Sequence, residues 1–209
     1  MPIRYPNGKK FIPKTKATPA SSKKSAEAKA RNLLQFSNRG KSLEDEIDEA
    51  NSYYLQTGQA VIHKKPVPVQ IVKVAYPSRS AAVIQEAYFR TPSTTDYNGV
   101  YNGYYIDFDA KETKNKTSFP LQNVHEHQVV HMKQATAQRG ICFLLVCFST
   151  LERFFILPFS VLQEAWNGME KGNRKSIPLH VFEERAIEIK EGYAPRLDYL
   201  KAVDQLLKN

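Results

Sequence analysis

Residues 96–111 read DYNGVYNGYYIDFDAK. An Asn-Gly pair between extended, aromatic-rich residues is the strongest short-range hairpin signal, because both residues tolerate the positive φ of a type I′ turn. A two-residue turn at Asn102-Gly103 pairs Tyr101 with Tyr104, and the residue numbers of every facing pair then sum to 205. That register sets Asp96 opposite Asp109 and Thr94 opposite Lys111. Asn98-Gly99 is a rival turn with another register; the later site is preferred because it leaves the longer N-terminal strand. Two carboxylates facing each other on one side of a sheet repel, and a fold tolerates them when a cation sits between.

Alternation along YYIDFDAK directs Ile106, Phe108 and Ala110 to one side, toward a core, and Asp107, Asp109 and Lys111 to the other. The pattern Asp…(Asp/Glu)-x-Lys is that of metal-dependent phosphodiesterases. Hard Mg²⁺ prefers oxygen ligands and retains several waters, one of which becomes a nucleophile at neutral pH. A lysine two residues on stabilises charge on the reacting phosphate. The short pattern is weakly specific, and the same residues also describe a solvated strand face with an Asp-Lys pair. Thr94 shares the face of Asp96 and has a hydroxyl to offer a metal. Gln128, on the next predicted helix, has a carbonyl oxygen to offer; each is equally an ordinary residue of its element. His127 and His131 have the i,i+4 spacing of zinc ligands on a helix, but Gln128 stands where the HExxH motif requires glutamate, and no cysteine is near. GxxxxGK[ST], GxGxxG and GxSxG motifs are absent from the sequence, which removes the support for nucleotide hydrolysis or serine-hydrolase chemistry.

Outward from the hairpin, a helix is predicted from Ser42, capped by Ser42 and Asp45, with Leu43, Ile47, Ala50 and Tyr54 on one face and Gly58 at its end. Most of its acids are expected on a solvated face. Residues 60–90 are strand-like and basic, with candidate strands Pro68–Ala75 and Ala82–Phe89 joined across Tyr76–Arg79. Pro66 and Pro68 suit an edge or a projecting ribbon rather than a central strand. Such a ribbon is either a DNA-entering element or a plain edge hairpin. Lys64, Lys65, Lys73, Arg79 and Arg90, with Arg39 further upstream, are the candidate DNA contacts. A helix follows from about Val124 to Arg139, then a buried strand Ile141–Phe148, a strand in RFFILP, a short helix Ser160–Trp166, a basic turn in KGNRKSIP and a helix around Leu197–Leu207. This order predicts an α/β fold, a mixed central β-sheet flanked by helices.

The 209 residues carry 30 Lys or Arg against 21 Asp or Glu, a net charge of +9. Residues 1–41 hold eleven of those bases and one acid, Glu27, so that segment is +10 and residues 42–209 are −1. An arm of this kind meets a polyanion, usually nucleic acid, or serves only as a solubilising tail. Residues 1–30 are expected to be a disordered basic arm, and residues 31–209 a single domain. Cys142 and Cys147, five apart on a predicted strand, point to opposite faces as reduced core residues, which suits a cytoplasmic protein. No segment predicts a membrane span or a secretory signal.

The stretches FSNRGKSLEDEIDEAN, AVIHKKPVPVQIVKVAYPSRSAAVIQEAYFR, STTDYNGVYNGYYIDFDAKETKNKTSFPLQN, HQVVHMKQA and GYAPRLDYL resemble the RecU family of bacterial Holliday junction resolvases, in order and from about Phe36 to the C-terminus. The resemblance implies a restriction-endonuclease-like core with a projecting β stalk at about residues 64–90. It also implies a homodimer that makes paired nicks in four-way junction DNA, and modulation of the recombinase RecA. It places metal ligands on Thr94, Asp96, Asp109 and Gln128, for Mg²⁺ with Mn²⁺ as a substitute, and the transition-state charge on Lys111. Relatives commonly carry glutamate where this chain has Asp109; aspartate is one methylene shorter, by roughly 1.5 Å. Two other readings stay open: a non-catalytic junction-binding or recombinase-modulating protein, and a metal-dependent nuclease with a different DNA substrate.

Overall fold

The computed structural model describes residues 41–78, 81–90 and 92–208. The basic arm, Arg39 and Arg79 lie outside the described residues. Helix α1 (Leu43–Gln56) begins at the predicted capping box: Asp45 N–H donates to Ser42 Oγ at 3.2 Å, and Ser42 N–H to Asp45 Oδ2 at 2.9 Å. Then come β1 (Ala60–Lys64), the pair β2 (Val69–Ser78) and β3 (Ala81–Phe89), and the hairpin β4 (Tyr97–Tyr101) and β5 (Tyr104–Thr113). A short strand β6 (Ser118–Pro120) and a 3-10 turn lead into α2 (Glu126–Ala137) and the central strand β7 (Ile141–Phe148). The chain continues through β8 (Arg153–Pro158), α3 (Phe159–Glu170), β9 (Ser176–Pro178), α4 (Leu179–Arg185), β10 (Ile187–Ile189) and α5 (Leu200–Leu206).

Among the described residues, six strands form one mixed sheet in the order β1-β4-β5-β7-β8-β10, parallel only between β5 and β7. The hairpin turns at Asn102-Gly103, with φ of 49° and 81°, and Tyr101 faces Tyr104. The rival pair serves another purpose. A Cβ on Gly99 would lie 2.0 Å from the Val61 carbonyl oxygen, so glycine there lets β1 approach β4.

The sheet has a core on each side. Ile106, Phe108, Phe143 and Leu145 pack under α1 and α5; Leu144, Val146, Phe155 and Leu157 pack under α2 and α3. Cys142 belongs to the second core and Cys147 to the first, on opposite faces as predicted. The parallel register pairs Asp107 with Cys142, Asp109 with Leu144 and Lys111 with Val146. The charged row of β5 therefore shares the face covered by α2 and α3.

Several boundaries differ from those predicted. β1 belongs to the central sheet, not to the ribbon; the prolines after it end the strand and free residues 69–89 to pair separately as β2 and β3. β2 runs past Pro77 to Ser78, into the stretch Tyr76–Arg79 predicted as the turn. The KGNRKSIP segment ends in β9, and α4 and β10 follow where no element was predicted. In α1 most acids are solvated, but Glu46 is buried and receives Arg196.

Candidate active site

β5 supplies the floor of the site. Asp107 and Asp109 are both fully buried, because α2 closes over them; this face is not the solvated one that alternation alone permits. Lys111 Nζ sits 2.9 Å from Asp109 Oδ1, with its side chain 15% exposed. Gln128, on the first turn of α2, donates from Nε2 to Asp109 Oδ2, while its Oε1 accepts from His125 N–H at 3.0 Å. To offer its oxygen to an ion, the Gln128 amide must flip and release His125. Asp96, Lys111, Gln128, His125, His127, Arg90, Phe89 and Pro92 line one open cleft of about 490 Å³.

The ladder stops at Tyr97 with Phe108, one residue short of Asp96. Thus the register does not itself pair Asp96 with Asp109, and Thr94 is not registered opposite Lys111. Asp96 still reaches Asp109 and interacts with its carboxyl group. Thr94 turns its hydroxyl to the Thr95 carbonyl at 3.2 Å and lines a neighbouring hollow with Lys65 and Pro66.

The Asp109 carboxyl is pushed up to about 7, chiefly by burial, with Lys111 opposing the rise and Asp96 adding to it. Two crowded carboxylates, one of them buried, are a donor set of hard oxygens that a divalent cation fits. Asp109 Oδ1 reinforces this: it is buried, accepts no well-formed hydrogen bond, and is met by the Lys111 ammonium. Asp96, Asp109 and, after its flip, Gln128 would hold the ion. Among the described residues no three His, Cys, Asp or Glu side chains converge on one point. The i,i+4 histidines part company: His127 faces the cleft, its ring stacked on His125 at 5.5 Å, and His131 turns to Asp107.

The raised Asp109 sets a pH dependence for the metal-free protein. Its unfolded value is about 3.9, so between about pH 4 and 7 the folded state keeps a proton that the unfolded chain has lost. This contribution to stability is full below pH 4 and is lost as pH rises toward 7. Urea unfolding of wild type and Asp109→Asn in chelator is expected to show wild type losing stability relative to the variant across that window. A difference independent of pH contradicts the assignment.

The candidate DNA contacts fall into two groups. Lys73 and Arg90 are exposed, and Arg90 reaches the cleft rim while donating to Gln70 at 3.0 Å. Lys64 pairs with Glu44 on α1, and Lys65 points inward to Asp107 at 3.1 Å. Neither is thus a freely presented charge. Asp107 carries more than strand alternation indicated. Thr95 donates to its Oδ1; Lys65, Tyr105 and His131 approach its Oδ2 at 3.1, 2.6 and 3.0 Å. Burial raises this carboxyl's pKa, but Thr95, Tyr105, His131 and Lys65 together outweigh it and hold the carboxyl below its usual value.

A mixed sheet flanked by helices, with Asp96 and Lys111 lining a cleft beside the buried Asp109, fits a nuclease-like α/β core. The chain belongs to the recombination protein U family, whose sequence pattern matches residues 38–205. It is 55% identical over 206 residues to the Holliday junction resolvase RecU of Staphylococcus carnosus, covering 98% of this chain and 96% of that protein. It is likewise 55% identical over 204 residues to the protein of the same name from Bacillus subtilis, covering 98% and 95%. With the Lactobacillus delbrueckii protein of that name the identity is 53% over 205 residues.

Proposed function

We propose that this chain is a divalent-metal-dependent endonuclease that resolves four-way DNA junctions during recombination and repair. The observation that carries the reading is the buried Asp109, paired with Lys111 beside Asp96 in an open cleft, in a chain 55% identical to named junction resolvases. Asp96 and Asp109 hold the ion, Mg²⁺ with Mn²⁺ as a substitute, and Gln128 completes the protein donors; Thr94, outside this cleft, contributes only if its segment moves. Once bound, the ion supplies an activated water and neutralises phosphate charge. Lys111 stabilises the negative charge that develops on the phosphate oxygens. Arg90 and Lys73 meet the DNA backbone, with Arg79 and Arg39 as further contacts. Paired nicks require two sites, so the working form is a homodimer, in the cytoplasm. RecA is the expected protein partner through the family resemblance, and the basic arm binds DNA, RecA or both.

Labelled four-way junction and linear duplex of the same sequence, incubated with the protein and Mg²⁺, test this. Symmetric nicks in the junction, with the duplex intact, are expected. Equal cutting of both would assign a different DNA substrate. Binding without nicks, even in Mn²⁺, would leave a non-catalytic junction-binding protein.

A further inference from the structure

The Asp107 cluster lies beside the cleft but outside it, and no step assigned above uses it. Its four partners come from four different segments. Thr95 adjoins Asp96; His131 lies one helical turn beyond Gln128 on α2; Tyr105 is on β5, as are Asp107 and Asp109; Lys65 begins the linker from β1 into the ribbon. Each protein donor proposed for the ion in the cleft is thus within three residues of a member of the cluster.

The cluster is also linked internally. Thr95 Oγ1 donates to Asp107 and accepts from Lys65 Nζ at 3.0 Å, which uses the donor and one acceptor site of a hydroxyl. Lys65 N–H donates to the Asp96 carbonyl at 2.7 Å, and Arg90 N–H donates to the Pro68 carbonyl at 3.0 Å. The two roots of the ribbon are thereby joined to each other and to the backbone of Asp96. His131 Nε2 faces the Asp107 carboxyl at 3.0 Å. Asp107 is fully buried and Thr95 is 2% exposed. A buried carboxylate with this many donors is costly to form unless every partner is in place.

We propose that Asp107, through Thr95 and Lys65, is a positioning residue that fixes the Asp96 segment and the ribbon root against α2, so that Asp96, Asp109 and Gln128 are preorganised for one cation. The proposal rests on the cleft being the metal site. Outer partners of metal ligands carry roughly 10–100-fold in metal affinity or activity. Thr95→Val preserves shape and removes the hydroxyl, whereas Thr95→Ser retains it. Lys65→Met breaks the same linkage from a partly exposed position and provides a second variant if Thr95→Val folds poorly.

Mn²⁺ binding is measured by loss of the free-ion electron spin resonance signal, alongside junction cleavage as a function of Mn²⁺ and junction binding in chelator. Thr95→Val and Lys65→Met are expected to need about tenfold more Mn²⁺ for half-saturation in both assays. Thr95→Ser is expected within about twofold of wild type, with junction binding by Thr95→Val also within that range. Wild-type Mn²⁺ affinity in both Thr95→Val and Lys65→Met overturns the positioning role while leaving the metal site intact. Failure of wild type itself to bind Mn²⁺ overturns the site and the positioning role together.

Discussion

Lys111→Ala is expected to bind a four-way junction as wild type does and to cleave it about 10²–10³-fold more slowly. The side chain is well placed for this. It lies on the Asp109 face of β5, reaches Asp109 Oδ1 at 2.9 Å, and lines the cleft with only a small part of its surface exposed. A largely buried ammonium acts on phosphate oxygens with less screening than a charge in bulk solvent. Removing it also takes from Asp109 the main influence that lowers its pKa, so its carboxyl is expected to rise further in the metal-free protein. Single-turnover rates with labelled junction measure the first effect. Cleavage at the wild-type rate in saturating Mg²⁺ would remove Lys111 from the chemistry.

Asp96→Ala is expected to cost at least as much in rate, on the order of 10³-fold, and to abolish stabilisation of the fold by a divalent cation. A ligand that binds only the folded state stabilises it by RT ln(1 + [L]/Kd), so a rise in the unfolding midpoint with Mn²⁺ in wild type should vanish in the variant. The variant has a second signature of opposite sign. Asp96 contributes to the raised pKa of Asp109. Without it, Asp109 ionises more readily, and the loss of metal-free stability between about pH 4 and 7 becomes shallower. Retained cleavage, or an unchanged Mn²⁺ shift, would displace Asp96 from the metal site.

The hairpin was legible because its turn depends on two adjacent residues with positive φ, and Asn102-Gly103 supplies them. The capped start of α1 and the apolar run of β7 were legible for the same reason: each is a local signal strong enough to stand alone. What escaped depends on distant contacts. Alternation on β5 places Asp107 and Asp109 on one face, but only α2 folding over that face decides that they are buried. Lys65 reads as a surface charge in a basic stretch until Asp107 and Thr95 converge on its ammonium. Strands of three residues, such as β9 and β10, are too short for periodicity to register. Gly99 looked like a turn residue because the close approach of Val61, which requires it, comes from a strand more than thirty residues earlier in the sequence.

The hydrogen bonds that bind the ribbon root to Asp96 give the molecule a ruler. β2 has ten residues, about 33 Å at a strand's rise, and its zero mark is fixed at a residue proposed to hold the ion. Under the proposed function, the separation between the point the ribbon engages and the phosphate that is cut is counted in strand residues. Each residue added to both strands would move the far end by about 3.3 Å, so ribbon length and cut position cannot drift independently.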